Sequence, residues 1–493
     1  MNKISNTINL IKSYFKNNFK KIALLLLFSF SLFNFSYAAY DKDLRLNSSG
    51  LSVIELQEFL IKNNYLKAKA NGNYGPATQK AVKDFQKKNK ISQTGTFGPA
   101  TRAAVKKISK SIVSGLPSSL TDNSVITKSN VNFSKEIKDI LNKNFTTGVW
   151  VPYWREASGS AEVLNNLNKI DIISPFSFEM RGDGTFTDPM KLDTGAYADM
   201  IKIAKENKKI IVPSILWWAT GTGRDELHSV LSEKESRLSL INDIKISVKK
   251  YNLDGIDIDF ENKLAESRVP FNTFLTELSK EMHDMNKVLI CTIEARTPLD
   301  SKYANLSSEE YKAKLKEVDY SNDFKTIGKV CDQVRIMAYD QQDDDKQLNS
   351  IRQADNTAYK PVADIDWVEK VLTLAMRDIE WKKIIVGVPT YGNKYEITRD
   401  VSGKINNYKK IGSMNYFYAD AEVKEKNLKQ IRDSSGELSY TYVDIDKLKE
   451  YYVVYSDAEA IAQKINIARL YKIGGIAIFK VDGNNDKNIW NKI

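Results

Sequence analysis

Cysteine and histidine are scarce in this 493-residue chain, and their scarcity excludes several classes of protein. With only Cys291 and Cys331, the chain is not a disulfide-stapled scaffold. An export route would permit one disulfide, but we expect two buried free thiols. The two histidines, His228 and His283, lack metal-ligand spacing with each other or with cysteine. We therefore expect no zinc site, no other metal ion and no cofactor.

Signatures of other chemistries are also missing. No nucleophile-elbow motif accompanies the histidines, which argues against a Ser-His-Asp hydrolase. No phosphate-binding glycine loop stands out, because Gly221-Thr222-Gly223 is too short and is interpreted as a turn. The formal net charge of +11 is not arranged as a basic patch interleaved with aromatic residues, so nucleic acid is not an expected partner.

The first 38 residues contain a basic segment, then an apolar segment and then small residues, which is the order typical of a secretory signal peptide. Lysines precede the apolar run 22–35, and Ser36-Tyr37-Ala38 follows as a cleavage site. The run is shorter than the roughly 20 residues that a membrane span needs. We therefore predict a secreted or cell-wall-associated protein after removal of residues 1–38, and an amino-terminal membrane anchor if the leader is not cleaved.

A short motif occurs twice between residues 44 and 108. Gly72-Asn73-Tyr74-Gly75-Pro76-Ala77-Thr78 recurs as Gly95-Thr96-Phe97-Gly98-Pro99-Ala100-Thr101. In each copy a proline stands at the first helical position, where its missing N–H costs nothing, so residues 44–108 are predicted to be a small all-α module. The motif resembles the peptidoglycan-binding domain 1 family, which implies attachment to the cell wall; a spacer or a protein-interaction unit is the alternative. Residues 109–140, rich in Ser, Asn, Thr and Lys, are predicted to be a linker.

Strand-like and helix-like segments alternate through residues 141–493. Eight buried strands alternating with helices predict an α/β fold, a (β/α)8 TIM barrel with its active site at the strand carboxyl ends. The gap between the seventh and eighth strands is too long for a simple crossover, so we predict a small α+β insertion at about 394–454. The predicted strands are 148–154, 170–178, 209–217, 255–261, 288–295, 333–340, 384–391 and 475–480.

The fourth of these strands carries three carboxylates on one face. Side chains alternate along a strand, so Asp257, Asp259 and Glu261 lie on one side and apolar residues lie on the other. We call these three residues the acidic file. Their negative charges repel each other, and removing them from water adds to the free-energy cost of folding unless protons are shared. A calcium site would space its ligands through turn-forming residues. A calcium site or a solvated edge strand is therefore the less favoured alternative, and we interpret the strand as catalytic.

Glu261 ends this file, so we expect it at the mouth of the barrel. A carboxylate beneath it would raise its pKa and let it hold a proton at neutral pH, as a general acid for a leaving-group oxygen requires. A glycosidase normally supplies a second carboxylate as nucleophile or base. Here the remaining candidates lie deeper on the same strand, which suggests that something else, such as the substrate, provides the nucleophile.

Three motifs in order along the chain resemble those of glycoside hydrolase family 18, which includes chitinases and related N-acetylglucosaminidases. They are Asp254-x-x-Asp257-x-Asp259-x-Glu261, Met337-Ala338-Tyr339-Asp340 and Gly387-Val388-Pro389-Thr390-Tyr391-Gly392, and the resemblance spans about residues 145–485. It implies a retaining glycosidase that hydrolyses β-1,4 bonds after N-acetylglucosamine. The resemblance does not separate peptidoglycan from chitin, but the amino-terminal module makes peptidoglycan the first expected substrate and chitin the second. The alternative from another class is a catalytically weak or inactive, lectin-like glycan-binding protein on the same barrel.

The resemblance also implies roles for single residues. The expected partner is a glycan substrate, and we expect the protein to be a monomer. Glu261 would protonate the glycosidic oxygen while the 2-acetamido oxygen of the sugar attacks C1, giving an oxazolinium-like intermediate. Asp259 would orient the acetamido group, Asp257 would support Asp259, and Tyr339 would hydrogen-bond the acetamido oxygen. The residues assigned to substrate binding are Asp340, Met337, Tyr391, Phe479, Trp217 and Tyr153.

Two departures from the family pattern concern aromatic residues. The eighth strand usually carries a tryptophan as the floor of the cleaving subsite, whereas this chain offers Phe479, which keeps a stacking face without the indole N–H. The third strand lacks the usual glycine pair, and Trp217 or Trp218 is a candidate sugar platform there. Trp150 and Trp154 are similar candidates on the first strand, with core packing as the alternative for every tryptophan.

Overall fold

The computed structural model describes residues 43–46, 48, 51–68, 73–105, 131–218, 222–303, 307–317, 320–353, 357–483, 486 and 488–493. They belong to two compact units, one within residues 1–124 and one within residues 125–493. The predicted signal peptide, 1–38, lies outside the described residues and stays a prediction. Within the described ranges, no helix combines the length and the apolar character that crossing a membrane requires.

The amino-terminal unit is a small helical module with its own core. Helices Leu51–Lys62 and Pro76–Lys88 and the helical residues 99–105 enclose buried side chains such as Phe59 and Phe85, whose rings meet edge to face. The all-α module expected from the repeated motif is confirmed.

The sequence repeat of the module is matched by a repeated hydrogen-bond arrangement. Gln57 donates through its buried amide to the carbonyl of Asn73 (2.9 Å) and to Thr78 Oγ1 (2.9 Å). Gln86 makes the corresponding bonds in the second copy, and its partners there are the carbonyl of Thr96 (2.8 Å) and Thr101 Oγ1 (2.9 Å). Each glutamine thus satisfies a turn carbonyl and a helix-start hydroxyl that burial would otherwise leave unpaired.

The carboxyl-terminal unit contains a closed barrel of eight parallel strands. The strands of the unit, in chain order, are Thr146–Val151 (β1), Ile172–Met180 (β2), Phe186–Thr187 (β3), Ile210–Ile211 (β4), Ser214–Trp218 (β5), Gly255–Glu261 (β6), Val288–Glu294 (β7), Gln333–Met337 (β8), Ile384–Pro389 (β9), Tyr391–Arg399 (β10), Ile405–Asn415 (β11), Ile431–Arg432 (β12), Leu438–Asp444 (β13), Lys449–Tyr455 (β14) and Gly475–Phe479 (β15). In barrel order the eight strands are β1, β2, β5, β6, β7, β8, β9 and β15, and β1 pairs with both β15 and β2 to close the ring. The predicted TIM barrel is confirmed.

Helices surround the barrel and bury the outward face of its strands. The interior holds a separate aromatic and aliphatic cluster that includes Trp150, Phe176 and Leu216. The α-helices of this unit are Lys135–Leu141, Glu156–Asn165, Gly195–Glu206, Gly223–Ser232, Lys234–Lys250, Arg268–Asp284, Leu299–Lys302, Ser308–Glu317, Phe324–Val330, Lys346–Arg352, Ile365–Ala375, Tyr416–Lys426, Ala458–Leu470 and Ile489–Lys492, with short 3-10 helices at Tyr153–Arg155, Leu167–Lys169, Ala265–Ser267 and Trp381–Lys383.

The predicted linker, 109–140, extends too far. Residues 135–141 form a helix whose start is capped by Ser134, and Ile137 and Ile140 pack against the first residues of several barrel strands. The helix therefore covers the end of the barrel opposite the strand carboxyl ends. The polar, lysine-rich composition of this segment favoured a linker, although Ile137 and Ile140 have the spacing of one helix face.

The predicted insertion between the seventh and eighth barrel strands is confirmed. Strands β10 to β14 form a five-stranded antiparallel sheet, and helix Tyr416–Lys426 follows β11. The sheet begins at Tyr391, and a single residue separates it from Pro389, where β9 ends. The insertion is thus a direct continuation of a barrel strand.

The expectation of two free thiols is wrong. Cys291 on β7 and Cys331, just before β8, form a disulfide with a Cα–Cα distance of 6.1 Å. β7 and β8 are neighbours in the barrel, and this brings two cysteines 40 residues apart in sequence within bonding range. The pairing could not be inferred from the sequence because it depends on which strands are adjacent and on the sequence position at which each cysteine falls.

We expect the Cys291→Ala/Cys331→Ala variant to lose about 3–4 kcal/mol of unfolding free energy, because the crosslink closes a loop of 40 residues in the unfolded chain. Denaturant titration of the variant and of the oxidised wild type measures the difference. A thiol reagent applied in denaturant should find no free thiol before reduction and two per chain after it. Two reactive thiols without reduction would contradict the disulfide.

Candidate active site

Asp257 lies fully buried inside the barrel, beneath the strand carboxyl ends. Four side chains donate hydrogen bonds to its carboxylate, and each comes from a different barrel strand because inward-facing residues meet in layers. The donors are Trp150 Nε1 (3.1 Å), Ser214 Oγ (2.8 Å) and Arg335 Nη1 (3.1 Å) to Oδ2, and Thr292 Oγ1 (2.8 Å) to Oδ1.

Asp259 is the next inward carboxylate on the same strand and is only 3% exposed. Burial, followed by the negative charges of Glu261 and Asp257, holds the pKa of Asp259 well above its usual range. Its Oδ1 atom is buried and has no hydrogen-bond partner among the described residues. Asp259 therefore holds a proton more readily than an ordinary aspartate, and its Oδ1 is a buried oxygen without a donor among the described residues.

Glu261 ends β6 at the mouth of the barrel and is half-buried. Burial raises the pKa of Glu261, and the negative charges of Glu294 and Asp340 act in the same direction. A 2.6 Å hydrogen bond from Trp218 Nε1 to Glu261 Oε1 and the cation of Lys263 oppose the shift. The net upward shift favours the protonated form that a general acid requires.

Glu294 is a carboxylate that the sequence interpretation missed. It ends β7 as Glu261 ends β6, and the register that pairs Asp259 with Thr292 brings the two glutamates to the same level. The signal was present in the sequence, because Thr292 and Glu294 follow the same alternation as the acidic file on the neighbouring strand.

Glu294 remains ionised despite its burial. The backbone N–H of Asn262 donates to Oε1 (2.7 Å), Asn322 Nδ2 donates to Oε2 (2.5 Å) and Lys263 Nζ lies 3.5 Å from Oε2. Burial acts against ionisation, but the charge of Lys263 and these hydrogen bonds outweigh it and lower the pKa of Glu294. Its negative charge is thus fixed beside the acid.

Aromatic rings line the mouth on the opposite side of the barrel. Phe479, the last residue of β15, stacks on Tyr339 with 5.5 Å between ring centroids and meets Tyr391 edge to face at 6.0 Å. The Tyr391 hydroxyl donates to Asp340 Oδ2 (2.8 Å). Burial raises the pKa of both tyrosines well above the usual range, so both hydroxyls keep their protons for hydrogen bonding. Met337 lies just before them, at the end of β8.

Trp217 lies away from this group. It is 6% exposed and belongs to the core between the barrel and its helices, because it shares the outward parity of Ile215. Trp218 has the inward parity instead, is 46% exposed and contacts Trp154, which is 45% exposed, at 6.0 Å between ring centroids. Tyr153 packs edge to face on Trp154 at 4.9 Å.

The structure thus brings together the acidic file, the tyrosine pair, Asp340 and Phe479 at the strand carboxyl ends. In the part of the chain that the structure describes, no group of three or more His, Cys, Asp or Glu side chains is arranged to hold a metal ion. The arrangement is suited to proton transfer to a neutral ligand that presents a face for stacking.

Known proteins named as glycosylases or lytic enzymes are similar to this chain over about half of its length or more. Glycosylase YvbX of Bacillus subtilis (strain 168) is 24% identical over 264 residues, which are 54% of this chain and 67% of that protein. The cortical fragment-lytic enzyme of Bacillus anthracis is 25% identical over 308 residues, which are 62% of this chain and 63% of that protein.

Solved structures share the fold. The Bacillus cereus spore cortex-lytic enzyme SleL matches with a TM-score of 0.55 at 20% identity, covering 71% of this chain and 73% of that chain. The chitinase of Chromobacterium violaceum matches with a TM-score of 0.55 at 19% identity, covering 70% of this chain and 97% of that chain.

Family models match both parts of the chain. A peptidoglycan binding domain model matches residues 49–105, within the helical module. The model of glycosyl hydrolases family 18 matches residues 149–484, which run from within the first barrel strand to beyond the last and include every residue of the acidic file. The chain therefore belongs to glycosyl hydrolases family 18 and is a glycoside hydrolase.

Proposed function

We propose that this protein is an exported, retaining glycosidase that cleaves β-1,4 bonds after N-acetylglucosamine, with the 2-acetamido group of the substrate as the nucleophile. The observation that carries the proposal is the state of the acidic file. Asp257 accepts hydrogen bonds on both oxygens, burial raises the pKa of Asp259 below the mouth, and Glu261, whose pKa is also raised, is the member of the file that ends at the mouth.

Glu294 does not supply the second carboxylate of an ordinary glycosidase. It stands beside Glu261 on the adjacent strand, and its oxygens are held by the Asn262 N–H, Asn322 and Lys263. A protein nucleophile must attack C1 from the face opposite the departing oxygen. A carboxylate fixed next to the acid serves instead to keep the acid protonated.

In the proposed reaction, Glu261 transfers its proton to the glycosidic oxygen as the bond from C1 to that oxygen breaks. The acetamido oxygen forms a bond to C1 on the opposite face, giving an oxazolinium ion. The Glu261 carboxylate then removes a proton from water as the water oxygen attacks C1 and the oxazolinium ring opens. Two inversions leave the anomeric configuration unchanged, and Glu261 regains its proton.

Asp259 and Tyr339 are the residues that would contact the acetamido group. Asp259, which follows Glu261 inward on the same face of β6, would accept a hydrogen bond from the acetamido N–H, which gains positive charge in the transition state. The Tyr339 hydroxyl, kept protonated by burial, can donate to the acetamido oxygen. Tyr391 and Asp340, already hydrogen-bonded to each other, would bind sugar hydroxyls.

Phe479 provides the proposed floor for the sugar ring in the cleaving subsite. Its ring lies nearly parallel to those of Tyr339, at 5.5 Å between centroids, and Phe176, at 5.9 Å, and it stays partly exposed. Trp218 and Trp154 take the place of Trp217 as sugar platforms, because their indoles are exposed beside the acid. Stacking on sugar faces needs this exposure, which Trp217 lacks.

The first expected substrate is peptidoglycan, and chitin is the second. The helical module resembles a peptidoglycan binding domain, and relatives of the barrel include enzymes named for degrading spore cortex fragments. Both polymers present the required 2-acetamido group. Export to the cell wall, with residues 1–38 as the leader, is part of the same proposal.

We expect Glu261→Gln to lower kcat by about 100-fold or more while glycan binding survives, because the amide keeps the shape but has no proton to transfer. Turnover of a fluorogenic N-acetylglucosamine oligomer measures the loss, and Glu235→Gln, on an exposed helix start, is the matched control. Equal and negligible rates in wild type and Glu261→Gln, with binding retained, would instead favour a lectin-like protein.

We expect Glu294→Gln to move the basic limb of the pH profile of kcat/KM to lower pH. The negative charge of Glu294 helps to raise the pKa of Glu261, so its removal lets Glu261 lose its proton, and hence activity, at a lower pH. The same titration of Glu277→Gln, a carboxylate on helix Arg268–Asp284, should leave the limb in place. An unmoved limb in Glu294→Gln would refute the electrostatic role.

Mass analysis of products should distinguish the two polymers. From purified peptidoglycan we expect muropeptides with a new reducing N-acetylglucosamine end, released faster by the full chain than by a chain lacking residues 1–108. Soluble oligomers from chitin alone, with an unchanged wall digest, would overturn the substrate preference while leaving the glycosidase assignment intact.

A further inference from the structure

The inward-facing residues of β5 lie beside the acidic file of β6. The register of the two parallel strands sets Ser214 against Asp257 and Trp218 against Glu261. Ser214 Oγ donates a hydrogen bond to Asp257, and Trp218 Nε1 donates one of 2.6 Å to Glu261 Oε1. The carboxyl group that gives the proton in the proposed reaction is thus itself bound by a donor on the neighbouring strand, and the reaction steps above give this contact no role.

The orientation of the Trp218 indole is more specific than stacking on a sugar requires. Stacking uses the face of a ring and leaves the direction of the N–H free. The Trp218 ring is 46% exposed and lies at 53° to the ring of Trp154, with 6.0 Å between their centroids. Trp154 in turn meets Phe176 edge to face at 6.2 Å. Neighbouring rings thus support an indole whose N–H is directed at the acid.

This hydrogen bond distinguishes the two oxygens of Glu261. An indole N–H can only donate, so Oε1 is the acceptor in the contact with Trp218. In a protonated carboxyl group the carbonyl oxygen is a stronger acceptor than the hydroxyl oxygen. The contact therefore favours the form of Glu261 in which Oε1 is the carbonyl oxygen and Oε2 carries the proton.

The strength of the contact also changes during proton transfer. A hydrogen bond to an ionised acceptor is roughly twice as strong as one to a neutral acceptor. The bond from Trp218 to Glu261 therefore strengthens as the proton leaves Oε2 for the glycosidic oxygen. An interaction that is stronger in the transition state than in the ground state raises kcat.

We propose, on the basis of the proposed function, that Trp218 is a positioning residue for the acid: its N–H holds Oε1 of Glu261 toward β5, keeps the transferable proton on Oε2 and stabilises the carboxylate that forms when the proton leaves. The same bond stabilises the carboxylate that removes a proton from water in the second step. The third barrel strand, which departs here from the family pattern, thereby acts directly on the proton donor.

Other groups also act on the charge of Glu261. Burial raises its pKa most, and the hydrogen bond from Trp218 is the largest opposing influence. The charged and titratable groups that face Glu261 come from β6 and the residues after it, from β7 and from the residues after β8; they are Asp259, Lys263, Glu294, Tyr339 and Asp340. A substitution of Trp218 leaves all of them in the chain, so a change in the pH profile reports the loss of the indole.

We expect Trp218→Phe, which keeps an aromatic face and removes the N–H, to move the basic limb of the kcat/KM profile to higher pH. Without the donor the Glu261 carboxylate is less stable, so the pKa of Glu261 rises and its proton is lost about half a pH unit or more later. We expect kcat to fall by about tenfold with KM little changed, because stacking survives. The limb moves opposite to that of Glu294→Gln.

Two further chains separate the N–H from the ring. A chain with benzothienylalanine at position 218 keeps the bicyclic ring and lacks only the N–H, so it should show the same lower kcat and the same moved limb. Trp154→Phe is the matched control, because it changes the neighbouring exposed indole and leaves the bond from Trp218 to Glu261 in place. It can change KM, but its limb should stay at the wild-type position. A limb that stays in place in both chains altered at Trp218, or that moves equally in Trp154→Phe, would overturn the proposal.

A second measurement does not depend on turnover. In NMR spectra of the tryptophan indole N–H groups, the Trp218 resonance is identified by its absence from Trp218→Phe. It should shift with pH as Glu261 titrates and become independent of pH in Glu261→Gln. A resonance that ignores pH, or that still responds in Glu261→Gln, would overturn the proposal and leave the glycosidase assignment intact. A wild type without hydrolytic activity whose Trp218 resonance follows Glu261 would reject the proposed function and keep the hydrogen bond to the carboxyl group.

Discussion

The fourfold hydrogen bonding of the buried Asp257 carboxylate is the interaction on which the active site depends. Its donors lie on four strands, so one charge links β1, β5, β7 and β8 through the barrel centre. Taking a carboxylate out of water costs several kcal/mol, and only complete satisfaction of its oxygens offsets that cost. The barrel interior at the level of Asp257 therefore has to be polar. The four strands that contact its carboxylate each supply one hydrogen-bond donor at that level.

Three carboxylates on one strand acquire three different states from position alone. Asp257 is surrounded by donors, Asp259 has a strongly raised pKa and no donor to its Oδ1 among the described residues, and Glu261 meets solvent and a single indole. Glu294 adds a fourth state, a buried carboxylate kept ionised by Lys263. All four groups are carboxyls. The differences between their pKa values therefore come from the number of hydrogen-bond donors around each one and from its depth below the mouth.

The barrel, its insertion and the acidic file could be predicted because they depend on local periodicity: alternation along a strand and strand–helix alternation along the chain. The features that the sequence did not predict depend on how neighbouring strands are aligned. The Cys291–Cys331 bond and the place of Glu294 beside Glu261 depend on the register of neighbouring strands, which alternation does not fix. Strand parity also separates Trp217 from Trp218, since Ser214 sets the inward face of β5 and Trp218 shares that face.

The continuity of β9 and β10 ties the insertion to the sugar-binding end of the site. Thr390, the single residue between them, donates through its backbone to the carbonyl of Phe479 and through its hydroxyl to that of Lys480. Just before β13, Glu437 accepts from two backbone N–H groups outside the insertion, at Val362 and Ala363. The insertion is thus hydrogen-bonded to the rest of the unit at two separate places. Substitutions at the outer tips of β11 to β13 would leave both attachments, and hence the position of Phe479, unchanged.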